Sequence, residues 1–117
     1  MYIVYGIPNC DTVKKVLTWL QNYNIPYQFH DYKKEGITPA KLKNWTGQVG
    51  WETILNKKST TWRELDAKTQ ALVTNEKAAI ALMTEHTSSI KRPVIEKDEK
   101  VITVGYNEAV YEKLFKK

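Results

Sequence analysis

The N-terminal part of the chain changes its hydrophobic period twice, and this change restricts the fold more than any other feature. Apolar residues at 2–5 form a short run that ends in the turn sequence at 6–9, as expected for a buried strand. The next apolar residues have the i, i+3, i+4, i+7 spacing of one helical face, and they are Val13, Val16, Leu17 and Leu20. Beyond Pro26, apolar residues alternate with others, as in a half-buried strand. We therefore predict the order strand, helix (about 12–23), strand.

The middle of the chain has the pattern of several short helices. Thr38 followed by Pro39 is a helix N-cap with proline at the first helical position, and this helix is predicted to reach about Gly47. Shorter helical pieces are predicted over 50–57, 62–65 and 69–73. Asn75 caps a further helix that is apolar on nearly all sides over 78–83, which predicts a buried helix.

The C-terminal part predicts a hairpin and a closing helix. Two β-prone runs at 94–95 and 101–104 are separated by a charged turn over 96–100. The residues expected to face inward from the last helix are Ala109, Val110, Leu114 and Phe115. The complete order is that of the thioredoxin fold with an enlarged central connection. We predict an α/β, thioredoxin-like fold, a mixed four-stranded sheet with flanking helices, as one domain over 1–117 with a helical insertion over about 36–88.

Length and composition exclude several classes of protein. A chain of 117 residues is long enough for one hydrophobic core, and 42% hydrophobic residues with 5 Gly and 4 Pro exclude a disordered or low-complexity chain. No apolar run approaches the roughly 18 residues of a membrane span, and the N-terminus lacks the pattern of a signal peptide. We expect a cytoplasmic protein, without membrane contact and monomeric.

The net charge of +5 is distributed in lysine pairs along the chain. Such a distribution predicts a solvated surface, or a surface for an anionic small molecule or an acidic protein, and argues against direct nucleic-acid binding. The four tryptophans are expected to pack in the core. His30 and His86 are far apart in sequence, so no metal site is predicted.

The chain has one cysteine, Cys10, which lies between the first predicted strand and helix. An internal disulfide is therefore impossible, and any redox chemistry must use a thiol from another molecule. The amides and the dipole of a helix N-terminus favour a thiolate there, although the neighbouring Asp11 opposes this effect. A small buried thiol that only fills space is the alternative.

Four separated segments together resemble the arsenate reductase (ArsC) family, and most closely its YffB-like branch. The segments are 5–15 (YGIPNCDTVKK), 55–63 (LNKKSTTWR), 91–94 (KRPV) and 104–106 (VGY). The resemblance implies a thioredoxin-like fold with an inserted helical subdomain, a catalytic cysteine at Cys10, and a substrate-facing arginine at Arg92 before a cis proline, Pro93. Further substrate-binding candidates around these motifs are Asn9, Thr12, Lys14 and Lys58.

Three departures from the pattern of arsenate reductases bear on the substrate. Two positions that hold arginines in those enzymes correspond here to Asn56 and Gly105, and a histidine before their cysteine loop corresponds to Gly6. These departures argue against arsenate itself. The related Spx-type regulators often have a second cysteine three residues after the first, where this chain has Val13.

The resemblance implies a glutathione-dependent thiol oxidoreductase. In this interpretation Cys10 attacks a small oxidised substrate, Arg92 orients its anionic part, and glutathione is the co-substrate that supplies the second thiol, with glutaredoxin as a further partner. No metal is expected. The alternative is a non-catalytic, Spx-like transcriptional regulator or adaptor that binds RNA polymerase.

Overall fold

The computed structural model describes residues 1–115, and within them the chain forms two compact units. The first contains residues 1–32 and the chain from Arg92 onward, and the second is Lys33–Lys91. The helical insertion predicted over 36–88 falls inside the second unit. That the whole chain is a single domain stays a prediction.

The helices and strands follow the predicted order, with one short helix, at Tyr32–Glu35, that was not predicted. They are β1 (Tyr2–Gly6), α1 (Asp11–Asn22), β2 (Tyr27–Asp31), α2 (Tyr32–Glu35), α3 (Pro39–Val49), α4 (Trp51–Ile54), α5 (Thr60–Glu64), α6 (Ala67–Leu72), α7 (Glu76–Glu85), a 3₁₀ turn at Thr87–Ser89, β3 (Val94–Lys97), β4 (Lys100–Val104) and α8 (Glu108–Phe115). Within residues 1–115, no helix is both long enough and apolar enough to cross a bilayer.

The strands of the described chain form a four-stranded mixed sheet with the order β2-β1-β3-β4. β1 pairs with β2 in parallel, and β3 pairs with β1 and β4 in antiparallel fashion. A helix connects the parallel pair, and a tight hairpin connects β3 to β4, as these two kinds of pairing require. This arrangement confirms the predicted thioredoxin-like fold.

Helices α1 and α8 pack on one face of the sheet. The core of this face consists of Val4, Val16, Trp19, Leu20, Ile95 and Tyr111. The prediction that Ala109 and Val110 face inward is wrong, since both are exposed. α8 instead buries Tyr111, whose ring packs edge-on against Trp19 and whose hydroxyl donates to the Gly105 carbonyl at 2.7 Å. Because its polar atom has a partner, this tyrosine can be buried completely.

The predicted turn over 96–100 is too long. Glu96 belongs to β3 and is only 2% exposed, and its carboxylate accepts a hydrogen bond of 3.0 Å from the Tyr5 hydroxyl. The turn itself is Asp98 and Glu99, with φ of 53° and 64°, as in a two-residue hairpin loop. A glutamate suggests a turn in sequence, but a cross-strand donor allows its burial here.

The second unit consists of short helices around a tryptophan and aliphatic core. Its fully buried hydrophobic side chains are Leu42, Trp45, Ile54, Ala79, Met83 and Ile90. Trp62 is also buried, as predicted for the tryptophans, whereas Trp51 is half-buried. α7 is not buried on all sides as predicted, because Ala81 is exposed. Alanine fits both environments, so the apolar pattern overestimates the burial of this helix.

Candidate active site

The sheet topology places three segments of the first unit at one edge of the sheet. The loop to Cys10 leaves the carboxyl end of β1, and Tyr32 follows the carboxyl end of β2, which is parallel to β1 with Gly6 opposite Asp31. β3 is antiparallel to β1 with Val94 opposite Tyr5, so Arg92 enters the sheet at this same edge. Cys10, Tyr32 and Arg92 therefore meet although they are remote in sequence.

Cys10 is the N-cap residue of α1. Its backbone is extended (φ −141°, ψ 124°), and its carbonyl accepts the first helical hydrogen bond from the Lys14 amide at 2.9 Å. Its side chain is half-buried and, within the described residues, makes no capping hydrogen bond. The sulfur thus lies at the positive end of the helix dipole, where an anion is stabilised.

Arg92 forms a side-chain hydrogen bond with Tyr32. Arg92 is half-buried and Tyr32 is fully buried. Burial raises the pKa of Tyr32, and the neighbouring Cys10 raises it further. The charge and the hydrogen bond of Arg92 act in the opposite direction. The net result is a pKa above the ordinary value, so the phenol is neutral at physiological pH and its oxygen accepts from the guanidinium.

The peptide bond between Arg92 and Pro93 is cis, as the resemblance implies. Pro93 is buried, and its carbonyl accepts a hydrogen bond of 2.8 Å from the Gly105 amide. The Gly105 carbonyl in turn accepts from Tyr111. The start of α8 therefore supports the segment that carries Arg92.

Two glycines occupy positions where arsenate reductases have other residues. Gly105 has a φ of 80°, a conformation that is costly for an arginine or any other residue with a Cβ. A Cβ on Gly6 would lie 2.9 Å from Cγ2 of the buried Val13, so a histidine would require this side chain to shift. Packing at Gly6 and backbone conformation at Gly105 therefore disfavour the two missing side chains.

The other predicted site residues differ in where they lie. Asn9 and Lys14 are exposed and Thr12 is half-buried, all in or beside the first turns of α1 near Cys10. Lys58 belongs to the second unit, is exposed, and donates its backbone amide to Oδ1 of Asn56 at 3.0 Å. The first unit therefore brings together every predicted site residue except Lys58.

Sequence reasoning missed Tyr32. In the sequence it continues the alternating pattern of β2, so it is interpreted as a strand residue. The parallel pairing of β1 and β2 is the signal that could have identified it, because the carboxyl ends of parallel strands lie at the same edge. Among residues 1–115, no group of three His, Cys, Asp or Glu side chains is placed to hold a metal ion.

Comparisons with known proteins agree with this geometry. Residues 5–114 match the ArsC family. The structure of the YFFB protein is 42% identical, with a TM-score of 0.90 over 97% of this chain and 98% of that one. An arsenate reductase (ArsC) related protein from Brucella melitensis is 43% identical, with a TM-score of 0.79 over 98% and 94%. The global transcriptional regulator Spx of Lactiplantibacillus plantarum is 32% identical over 92% of this chain and 81% of its own.

These similarities extend over nearly the whole chain, in sequence and in fold, and they confirm the resemblance found in the four motifs. Catalytic and regulatory proteins both occur among the names of the relatives, so membership alone does not define the activity. The chain belongs to the ArsC family.

Proposed function

We propose that this protein is a glutathione-dependent thiol oxidoreductase that acts in the cytoplasm, with Cys10 as its nucleophile. The observation that carries the proposal is the placement of Cys10 at the N-terminus of α1, at the same sheet edge as the guanidinium of Arg92. A thiolate is the attacking species in thiol–disulfide exchange, and a helix N-terminus stabilises it. Arg92 can hold a carboxylate or other oxyanion of the substrate through paired N–H donors.

The reaction has two exchange steps. The Cys10 thiolate attacks the glutathionyl sulfur of a mixed disulfide, a Cys10–glutathione disulfide forms, and the substrate thiolate leaves and takes up a proton. A second glutathione thiolate then attacks this disulfide, which releases oxidised glutathione and regenerates the Cys10 thiolate. The second thiol must come from outside, since Cys10 is the chain's one cysteine.

The substrate is proposed to be a small oxidised thiol compound with an anionic group, and arsenate is disfavoured. Gly6 and Gly105 support this choice, because packing against Val13 at Gly6 and the backbone conformation at Gly105 resist the side chains that arsenate reductases have there. In this scheme Pro93 lines the site, and Asn9, Thr12 and Lys14 contribute polar and positive groups beside Cys10.

The proposal is tested by following the Cys10 adduct and turnover together. The reduced protein is treated with a glutathione mixed disulfide, and intact mass measurement should show one glutathione on Cys10 that excess reduced glutathione removes. Turnover is measured by coupling oxidised glutathione to NADPH consumption through glutathione reductase, with arsenate as a parallel substrate. Cys10→Ser is the blank, and turnover equal to that of this variant would refute the proposal.

A regulator that binds RNA polymerase is the second candidate, because a relative with 32% identity is the regulator Spx. Val13, three residues after Cys10, is fully buried in α1 and leaves this chain without the second thiol of a disulfide switch. A pull-down from cytosol at low and high salt distinguishes the two candidates. Stoichiometric, salt-sensitive capture of the polymerase supports the regulator, and absence of the polymerase supports the enzyme.

A further inference from the structure

We propose that Tyr32 is a positioning residue, whose hydroxyl orients the Arg92 guanidinium toward an anionic substrate group beside Cys10. The inference rests on the proposed function, because it assumes that Arg92 binds the anionic part of the substrate. It assigns a role to a residue that lies outside the four sequence motifs.

The first argument is the placement of the three groups. Tyr32 follows β2, Arg92 precedes β3, and the loop to Cys10 follows β1, so all of them lie at one edge of the sheet. Tyr32 is 0% exposed, which restricts its ring to one orientation. Its hydrogen bond with Arg92 therefore joins a flexible side chain to a rigid one.

The second argument concerns charge. A carboxylate partner would hold the guanidinium equally well, but it would cancel the positive charge that an anionic substrate needs. A neutral phenol accepts one hydrogen bond and leaves the charge of Arg92 intact. Burial keeps Tyr32 in this neutral form, because it raises the pKa of the phenol.

The third argument is the donor geometry of arginine. A guanidinium has five N–H donors in a fixed plane, more than one phenol oxygen can accept. A hydrogen bond to one N–H group fixes the orientation of the whole plane, and with it the direction of the remaining N–H donors. The hydroxyl of Tyr32 therefore determines where a bound carboxylate or oxyanion lies relative to the Cys10 sulfur. Preorganisation of this kind increases selectivity for anionic over neutral reactants.

Tyr32→Phe tests the inference, because it removes the hydroxyl and retains the ring. The matched control is Tyr111→Phe, which removes the hydroxyl of another fully buried tyrosine, bonded to Gly105. The first readout is the side-chain Nε–H resonance of Arg92 in ¹⁵N NMR. The chain has two arginines, so Arg63 is an internal reference and Arg92→Lys identifies the second signal.

The second readout is the ratio of the Cys10 alkylation rates with iodoacetate and iodoacetamide, an anionic and a neutral reagent. Tyr32→Phe should shift the Arg92 resonance, leave that of Arg63 in place, and lower the ratio about 3- to 10-fold, the effect of losing one ordinary hydrogen bond. Tyr111→Phe should change neither readout. In the proposed enzyme assay, Tyr32→Phe should raise KM for an anionic disulfide with little change in kcat.

Either of two results overturns the inference. An unchanged Arg92 resonance in Tyr32→Phe would show that the hydroxyl does not hold the guanidinium, and a shifted resonance with an unchanged alkylation ratio would show that the contact does not orient anions. Both readouts are independent of turnover. If the protein had no turnover but Tyr32→Phe gave the expected shift of the Arg92 resonance and the expected alkylation ratio, the proposed function would be refuted and the role of Tyr32 would stand.

Discussion

Helix α1 and the longer helices of the second unit begin in different ways. In the second unit the N-cap side chains of Thr38, Ser59, Asp66 and Asn75 each accept a hydrogen bond from a backbone amide three residues later, at 3.1, 3.1, 2.6 and 2.9 Å. At the start of α1 the cap residue is Cys10, whose side chain makes no such bond within the described chain. Oxygen caps satisfy the orphan amides and stabilise the helix. A sulfur at the same position contributes little to stability, and in the proposed function this position serves its reactivity.

The two units also differ in which aromatic residues they contain. All seven tyrosines of the chain lie outside residues 33–91, whereas three of the four tryptophans lie within them. The buried tyrosines Tyr5, Tyr32 and Tyr111 bond to Glu96, Arg92 and Gly105 respectively. The buried hydroxyls of the first unit thus include those of tyrosines with partners remote in sequence, whereas those of the second unit belong to Thr46, Ser59 and Ser89.

Cys10→Ser gives the largest expected effect and separates reactivity from capping. Turnover should fall by a factor of about 10³ or more, because the attacking atom is lost. The free energy of unfolding should stay the same or rise by up to about 1 kcal/mol, because serine is a preferred N-cap. Measuring kcat/KM and urea unfolding on the same sample checks both, and activity within tenfold of the wild type would contradict the assignment.

Alkaline pH should destabilise the protein through the buried tyrosines. Burial raises the pKa of Tyr5, Tyr32 and Tyr111 above the ordinary value of 10.0, with Glu96 adding to the effect at Tyr5. The unfolded chain releases these protons near pH 10, so stability is lost as the pH rises above that value. Each proton that the folded protein retains lowers the free energy of unfolding by about 1.4 kcal/mol for every pH unit above this value, and three such protons lower it by about 4 kcal/mol.

Tyrosinate absorbance and circular dichroism, followed together through the alkaline range, check this pH prediction. We expect the three buried tyrosines to titrate only as the helical signal disappears. A single titration near pH 10 with an intact circular dichroism spectrum would show that the three hydroxyls are accessible in the folded protein.

Arg92→Ala should weaken substrate binding and leave the fold intact. Loss of a charge-assisted contact is expected to raise KM about 10- to 100-fold for an anionic disulfide, with a smaller effect on a neutral one. Arg63→Ala is the matched control, because Arg63 is an exposed arginine in α5 of the second unit. Equal kinetics for Arg92→Ala and the wild type would remove Arg92 from the site.

Asn75→Ala gives the smallest expected effect and tests the capping half of the comparison. It removes the side-chain acceptor for the Ala78 amide at the start of α7, which should cost about 1 kcal/mol of folding free energy. The rate of Cys10 alkylation should not change. Asn75→Asp retains an acceptor and should recover most of the stability, and a similar loss in both variants would show that the bond does not stabilise α7.

The sequence predicts the elements better than it predicts which side chains they bury. Strict spacing over 13–20 predicts α1 with ends within one residue, and Thr38 and Asn75 identify two caps. The inward face of α8 was predicted incorrectly because several of its residues are apolar, and only the contacts of Tyr111 with Trp19 and Gly105 decide between them. Glu96 was placed in a turn because its buried partner, Tyr5, is remote in sequence.

The sequence by itself determined the family, the order of the secondary structure and the position of the one thiol at the start of a helix, because these depend on local spacing and on motifs read along the chain. Only the tertiary structure decided that Tyr32 joins Arg92 near Cys10, that Gly6 leaves little room for a side chain, and that Gly105 has a backbone conformation unfavourable to one. These relations depend on strand pairing, which brings together residues up to 82 positions apart, from Cys10 to Arg92. No local pattern contains that information.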